Sequence, residues 1–238
     1  MPLAGVLAGG AAVVLVVGAV VAVVAVVALA ALIAWGGSRS EDGQVLVQTT
    51  FAAGASPFPV GDVGDYHLGP ANGRYEIATR VGDPATTGRA LGAFGSATTQ
   101  VQVTAGLAGT SGDVTVGVSC VRTDTAGAVE DGFAVAVHGD QLALERVGFA
   151  PATLATTRVA AVHSGSRLSL TCAPDGGQEG DAEGGAVRVE AELDGTSTAA
   201  RADTGYVVGF DALGLDLRGH QPGDSASFSD AGAVVAGR

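Results

Sequence analysis

The chain has 238 residues, 38 of them glycine, with 5% aromatic side chains and a formal net charge of −12. A negative field of that size repels phosphate backbones and anionic headgroups, which excludes nucleic acid as a partner class. All 12 basic residues are Arg, and with the Ala/Gly/Val bias this matches coding drift in a GC-rich bacterial genome rather than selection for chemistry.

Residues 1 to 38 carry no charged side chain, and the densest apolar run extends from Ala11 to Trp35. As a helix that run is about 37 Å long, enough to cross a hydrocarbon layer of about 30 Å with some tilt. Trp35 sits where an interfacial aromatic belongs. The expectation is one transmembrane anchor over residues 1–35, a polar linker over 36–43 and one globular domain over 44–238. A cleaved signal peptide is the rival, with Ala28-Leu29-Ala30 as a small-x-small site. No positive n-region precedes it, and the apolar run is too long for an h-region. No Cys lies near this segment, so a lipoprotein anchor is excluded. Arg39, next to Glu41 and Asp42, is the only basic flank and by itself points to the reverse topology. The cysteines discussed below favour an extracytoplasmic domain on a single-pass cell-membrane protein.

After the linker the apolar period is two. Val101, Val103, Ala105 and Leu107 alternate with polar or small residues, as do Val114, Val116, Val118 and Cys120. Phe133, Val135 and Val137 repeat the pattern, and so do Leu168, Leu170 and Cys172. The clearest case sets Val187, Val189, Ala191 and Leu193 against Arg188, Glu190, Glu192 and Asp194. Such runs are strands with one apolar face. Asn72-Gly73, Asp131-Gly132, Gly139-Asp140 and Asp194-Gly195 supply turn chemistry between them. No helical period of useful length follows residue 43. The fold class expected is all-β, a two-sheet antiparallel sandwich or jelly roll.

Cys120 and Cys172 fall in phase with the apolar faces of their strands. They could be independent core fillers or a disulfide. An even count behind an apolar leader favours the bridge and an oxidising compartment.

The acidic insert from Ala173 to Gly185 separates two strands. Its carboxylates Asp175, Glu179, Asp181 and Glu183 could chelate Ca²⁺ but lack the ordered loop pattern, so no metal site is assigned. His67, His138, His163 and His220 stand singly and read as surface or loop residues. No nucleophile elbow and no phosphate loop is present, so no cofactor is expected.

The order of a Phe51 strand, Asn72-Gly73-Arg74-Tyr75-Glu76-Ile77, the Cys-bearing run Val114 to Arg122, Phe133-Ala134-Val135 and Glu145-Arg146-Val147 is distinctive. It continues with Arg167 to Cys172, Val187 to Gly195 and Ala226-Ser227-Phe228-Ser229-Asp230. The order resembles the concanavalin A-like (laminin G/glucanase-type) jelly rolls of bacterial cell surfaces. That resemblance implies two stacked antiparallel sheets with a concave face; it transfers no function, since related domains include lectins, glycosidases and modules with no known ligand.

Enzymes of that superfold carry alternating carboxylates on one strand, and Glu190, Glu192 and Asp194 share that spacing. The strand runs straight into a hairpin, its middle residue is Glu rather than Asp, and no Trp flanks it. A solvated outer face accounts for it better. The expectation is a non-catalytic module that binds a glycan or a protein, or serves as structure. A membrane-tethered glycan hydrolase using Glu190 and Glu192 is the alternative.

Overall fold

The computed structural model describes residues 43–51, 56–83, 86–175, 185–204 and 208–236. The 1–35 anchor and most of the 36–43 linker lie outside these residues. Among the described residues no helix is long and apolar enough to cross a membrane.

From Gly43 onward the chain forms one unit. Its strands are β1 (Val45–Thr50), β2 (Gly61–Val63), β3 (Tyr66–Ala71), β4 (Arg74–Thr79), β5 (Gly88–Thr98), β6 (Val101–Ser111), β7 (Val114–Thr123) and β8 (Val129–His138). They continue with β9 (Gln141–Gly148), β10 (Ala152–Arg158), β11 (Arg167–Pro174), β12 (Ala186–Leu193), β13 (Thr196–Asp203), β14 (Phe210–Gly219) and β15 (Ser225–Val234). One sheet of nine strands runs β13-β12-β11-β6-β15-β4-β3-β2, with β1 on β15; a second sheet of six runs β10-β9-β8-β7-β14-β5. The pairings are antiparallel throughout. Strand β15 is shared along its length: β4 pairs with its first half and β1 with its second, while β6 runs along its other side.

Period-two alternation builds the core as the sequence implies. Val101, Val103 and Leu107 of β6 and Leu168 and Leu170 of β11 are buried from one sheet. Phe133 of β8, Leu142 and Leu144 of β9 and Leu213 of β14 are buried from the other. Aromatics are too few to fill this space; Phe51, Phe58 and Tyr75 cluster 5.2 to 5.8 Å apart, and Phe133 and Phe210 form a second contact at 6.2 Å. The Tyr75 hydroxyl donates to the Pro59 carbonyl, and burial pushes its phenol well above the ordinary value.

Cys120 and Cys172 are bonded to each other. Cys120 belongs to the six-stranded sheet, between Phe133 and Leu213, and Cys172 to the nine-stranded sheet, between Val101 and Val189. The bridge therefore joins the two inner faces through the middle of the core.

Two hairpins follow their turn residues. Asn72 and Gly73 have φ of 52° and 73° between the paired Ala71 and Arg74, and Asp194 and Gly195 have φ of 48° and 86° between Leu193 and Thr196. That double positive φ is the type I′ geometry that suits the strand twist. Asp131-Gly132 does not make a turn. Both residues lie inside β8, where Gly132 pairs with Val121 and Val147. A Cβ on Gly132 would stand 2.4 Å from the Cys120 carbonyl oxygen, so glycine here allows close strand approach. Asp131 is fully buried and receives Arg146 through Nε at 3.1 Å and Nη2 at 2.9 Å. Sheet pairing and a buried ion pair override the local turn signal.

Candidate functional site

The acidic strand singled out by sequence is β12, next to the edge of the nine-stranded sheet. Glu190 and Glu192 point away from the core, since Val189, Ala191 and Leu193 between them are buried. Glu190 is tied to Arg188 of the same strand, and the two stay 45% and 63% exposed. Across β13, β11 and β6 their same-face neighbours are Ala199, Ser197, Thr171, Ser169, Gln102 and Thr104, with no aromatic ring among them. Asp194 is a turn residue whose Oδ1 accepts from the Arg167 N–H at 2.8 Å. The three carboxylates lie along a solvated face.

The other candidates disperse. Asp175 pairs with Arg201 at 2.5 Å, while Glu179, Asp181 and Glu183 lie outside the described residues. Among the described residues no group of three or more His, Cys, Asp or Glu is placed to hold a metal ion. His67 contacts Asp62 at 2.8 Å and His163 lies 3.9 Å from Asp194. The rings of His138 and His220 come within 5.9 Å of each other, a meeting that their sequence positions do not announce.

The outward face of the six-stranded sheet is different. Cross-strand pairing sets Leu91, Gly214, Ser119, Ala134 and Glu145 in one row from β5 to β9. The next row is Arg89, Asp216, Gly117, Ala136 and Ala143. The third begins Arg218, Thr115, His138 and Gln141. The middle strands thus present a floor of Gly, Ala and Ser, where outward side chains are usually large and polar. That floor is not open. Ser119 is 0% exposed, Ala134 2% and Ala136 6%.

Four charged side chains cover it. Arg89 donates to Asp216 through Nε at 2.5 Å and Nη2 at 3.1 Å. Arg218 donates to both Glu145 oxygens, by Nη1 at 3.3 Å and more closely by Nη2, and its Nε reaches Thr87 Oγ1 at 3.2 Å. Burial alone would pull the Arg89 guanidinium down. The charge of Asp216, its hydrogen bonds and the charge of Glu145 together outweigh burial and raise it. The group sums to zero formal charge.

The Arg218–Glu145 contact also reports shape. Strands β14 and β9 are separated by β7 and β8, and the two residues are offset by two rows. On a flat sheet their α-carbons would be about 19 Å apart, from three strand spacings and four residues of rise. Fully extended Arg and Glu side chains joined by a hydrogen bond span about 15 Å. The pair meets in two hydrogen bonds, so the sheet curls toward this face along that diagonal, which passes over Gly117 and Ala136. The result is a trough: a curled sheet, a floor without bulk, and paired charges lying over it. The phase was readable in β14, where Leu213, Leu215 and Leu217 alternate with Gly214, Asp216 and Arg218. That these meet Arg89, Ser119 and Glu145 was not readable, because it depends on strand order.

No family model matches the chain, and no curated protein does. Solved structures do. The CBM2 module of the evolved Dit of Lactobacillus casei BL23 phage J-1 aligns over 81% of this chain and 96% of its own, at 15% identity and a TM-score of 0.52. A Bacillus subtilis protein of unknown function with a galectin-like fold aligns over 83% and 98%, at 10% identity and a TM-score of 0.56. A non-specific endo-β-1,3(4)-glucanase of family GH16 aligns over 83% and 92%, at 10% identity and a TM-score of 0.52. What is shared at these identities is the fold, a jelly-roll sandwich. It is the architecture that the concanavalin A-like resemblance implies.

Proposed function

We propose that this chain is a membrane-anchored, extracytoplasmic module whose sandwich domain binds a neutral glycan and performs no chemistry on it. The observation that carries the reading is the trough on the six-stranded sheet. Its paired guanidinium and carboxylate groups are planar, two-pronged donors and acceptors, the chemistry that matches the vicinal hydroxyls of a sugar. Because the four charges already balance, an anionic ligand would have to strip a guanidinium from a half-buried carboxylate. A neutral polyol can share both. A CBM2 module and a β-glucanase among the structural neighbours are consistent with glycan as the ligand class.

The non-catalytic part rests on chemistry. A glycosidase needs one carboxyl group able to give up a proton and another to attack or to activate water. Both oxygens of Asp216 and both of Glu145 accept from a guanidinium, so each carboxylate is engaged by an arginine rather than left free to face a glycosidic oxygen. Glu190 and Glu192 stand on the opposite sheet, in a solvated row. The anchor rests on the uncharged run Ala11 to Trp35, and the compartment on the buried bridge between Cys120 and Cys172.

The test is retention of the detergent-solubilised full chain on an array of soluble β-1,3- and β-1,3-1,4-glucans, other neutral polysaccharides and polyuronates, with reducing ends assayed alongside. Retention on a neutral glycan, lost with Asp216→Ala and unaccompanied by new reducing ends, is expected. Retention on polyuronates alone, or on nothing, ends the glycan reading. Turnover abolished by Glu190→Gln would establish the hydrolase instead. Protease added to intact cells should cleave the domain; protection would place it in the cytoplasm.

A further inference from the structure

The end of the domain at which the chain enters can be traced through the pairings. Val45 pairs with Val234, Val234 with Gln102, and the Val235 N–H donates to the Gln44 carbonyl. Thr99 and Gln100 join that end of β6 to the end of β5, where Thr98 pairs with Phe210. From there Ala212 pairs with Val121, Arg122 with Asp131, and Asp131 with Gly148. The turn between β9 and β10 therefore stands at the same end as Gly43, four strand spacings or about 19 Å across from β5.

That turn carries no polar side chain. Residues 147–152 read Val-Gly-Phe-Ala-Pro-Ala, and Phe149 is 87% exposed, more than any other large apolar side chain among the described residues. Its backbone is held in place. The Phe149 N–H donates to the Glu130 carbonyl at 3.0 Å, and Gly148, at φ 92°, lies so close to β8 that a Cβ would stand 2.4 Å from the same oxygen. A ring presented on a fixed backbone loses little conformational freedom when something covers it. Charge narrows what that can be. Arg122, Arg146 and Arg201 at this end each meet a carboxylate, Glu130, Asp131 and Asp175 in turn. Asp124 and Asp211, held by backbone and Thr123 hydrogen bonds, add negative charge beyond those pairs. Such an end is repelled by an anionic surface and tolerated by an uncharged or zwitterionic one.

We propose that the 147–152 turn is a membrane-contact element, with the Phe149 ring seated at the headgroup–acyl boundary of an uncharged or zwitterionic bilayer. The proposal rests on the anchor reading above and is independent of the glycan reading. With the anchor ending at Trp35, eight steps of chain lead to Gly43 and span at most about 28 Å. A tether of that length holds this end of the domain beside the bilayer surface. The far end, where Val63 pairs with Tyr66, is a ten-residue strand away, about 33 Å. Phe149 gives the domain a second point of attachment, so that the sandwich is oriented on the surface instead of swinging on its linker.

The test uses the full chain reconstituted in phosphatidylcholine vesicles whose acyl chains carry bromine. Trp35 is the one tryptophan of the chain, so Trp35→Phe supplies a background in which Phe149→Trp, or Val63→Trp at the far end, is the only indole. Both sites are exposed, and neither replacement should move the denaturation midpoint. Bromine should quench the Phe149→Trp variant at a depth of about 5–10 Å into the headgroup–acyl boundary and leave Val63→Trp unquenched. Mixing in phosphatidylglycerol should reduce that quenching. An unquenched Phe149→Trp variant that still floats with the vesicles overturns the contact and leaves the anchor standing. Equal quenching of both variants also overturns it, since the domain would then adsorb without using this end. Quenching that grows with phosphatidylglycerol overturns the choice of lipid. Emission of Phe149→Trp that shifts with a soluble β-1,3-glucan in detergent, and not with lipid, makes the ring a sugar platform instead. A chain that alkaline carbonate strips from the vesicles ends the anchor reading and this contact with it.

Discussion

Removing the bridge between Cys120 and Cys172 should cost this domain a large part of its stability. The sequence separation of the two residues is 52. In the chain-entropy model a loop of that size loses about 14 cal/mol/K on closure, or about 4 kcal/mol at 25 °C. Both sulfurs lie in the core, so Cys120→Ala with Cys172→Ala also gives up about 1 kcal/mol of packing per site. The total is about 5 to 6 kcal/mol, comparable to the whole stability of many domains. At 2–4 °C per kcal/mol for a domain of this size, the melting temperature should fall by roughly 10–20 °C. The assay is guanidinium denaturation of three species: oxidised wild type, reduced wild type and the double alanine variant. Oxidised against reduced isolates the loop term, and reduced against alanine isolates packing. The m-value should rise when the bridge is lost, because the unfolded chain is then less compact. A double variant that unfolds at the same denaturant concentration as oxidised wild type refutes the reasoning. So does a native protein that offers two titratable thiols before reduction.

Three further outcomes follow from particular contacts. Asp131→Ala leaves Arg146 buried without its carboxylate and should cost about 3–5 kcal/mol by urea denaturation; combining it with Arg146→Met should recover most of that, and a benign single variant would show that the pair carries no such weight. The Asp62 carboxyl is held below its ordinary value, first by the hydrogen bond from His67 and then by the charges of Arg80 and His67, against a burial contribution that raises it. Its contribution to stability is therefore present above the unfolded pKa and is lost as pH falls through the lower folded value; an NMR titration should place Asp62 below the usual carboxylate range and His67→Ala should return it there, with no change on substitution counting against the assignment. Ala136 faces the trough rather than the core, so Ala136→Leu should abolish glycan retention and shift the denaturation midpoint by less than about 2 kcal/mol of destabilisation. Retention at full strength in that variant would put the ligand elsewhere.

Strands were legible wherever one face is apolar and the other polar. Val187 to Leu193 alternates cleanly, and β12 occupies those residues after Ala186. Hairpins were legible where two residues tolerate positive φ and the flanking strands agree, as at Asn72-Gly73 and Asp194-Gly195. Asp131-Gly132 carried the same local signal and failed, because its carboxylate and its missing side chain serve tertiary ends: one pairs with Arg146, the other lets β7 approach. Phase and count favoured a bridge over two independent core thiols, but that the cysteines join opposite sheets requires the topology. The trough was the least legible part. Gly117, Ser119, Ala134, Ala136 and Gly214 read individually as weak strand formers, and only registration across β8, β7 and β14 turns them into one floor.

Glu190 and Glu145 show why a carboxylate's neighbours in space matter more than its spacing in sequence. Each points away from the core, and each has an arginine partner. Arg188 is two residues from Glu190 on one strand, so their pairing needs no tertiary structure, and it leaves both groups about half exposed. A pair of that kind contributes about 0–1 kcal/mol and is screened by salt. Arg218 meets Glu145 only because two strands between them present glycine and alanine and the sheet curls. That pair is less exposed, at 30% and 17%, and lower exposure strengthens a charge-assisted hydrogen bond. Sequence spacing placed the acidic chemistry on β12. A small-residue floor makes the other sheet the face on which charge is sheltered and directional.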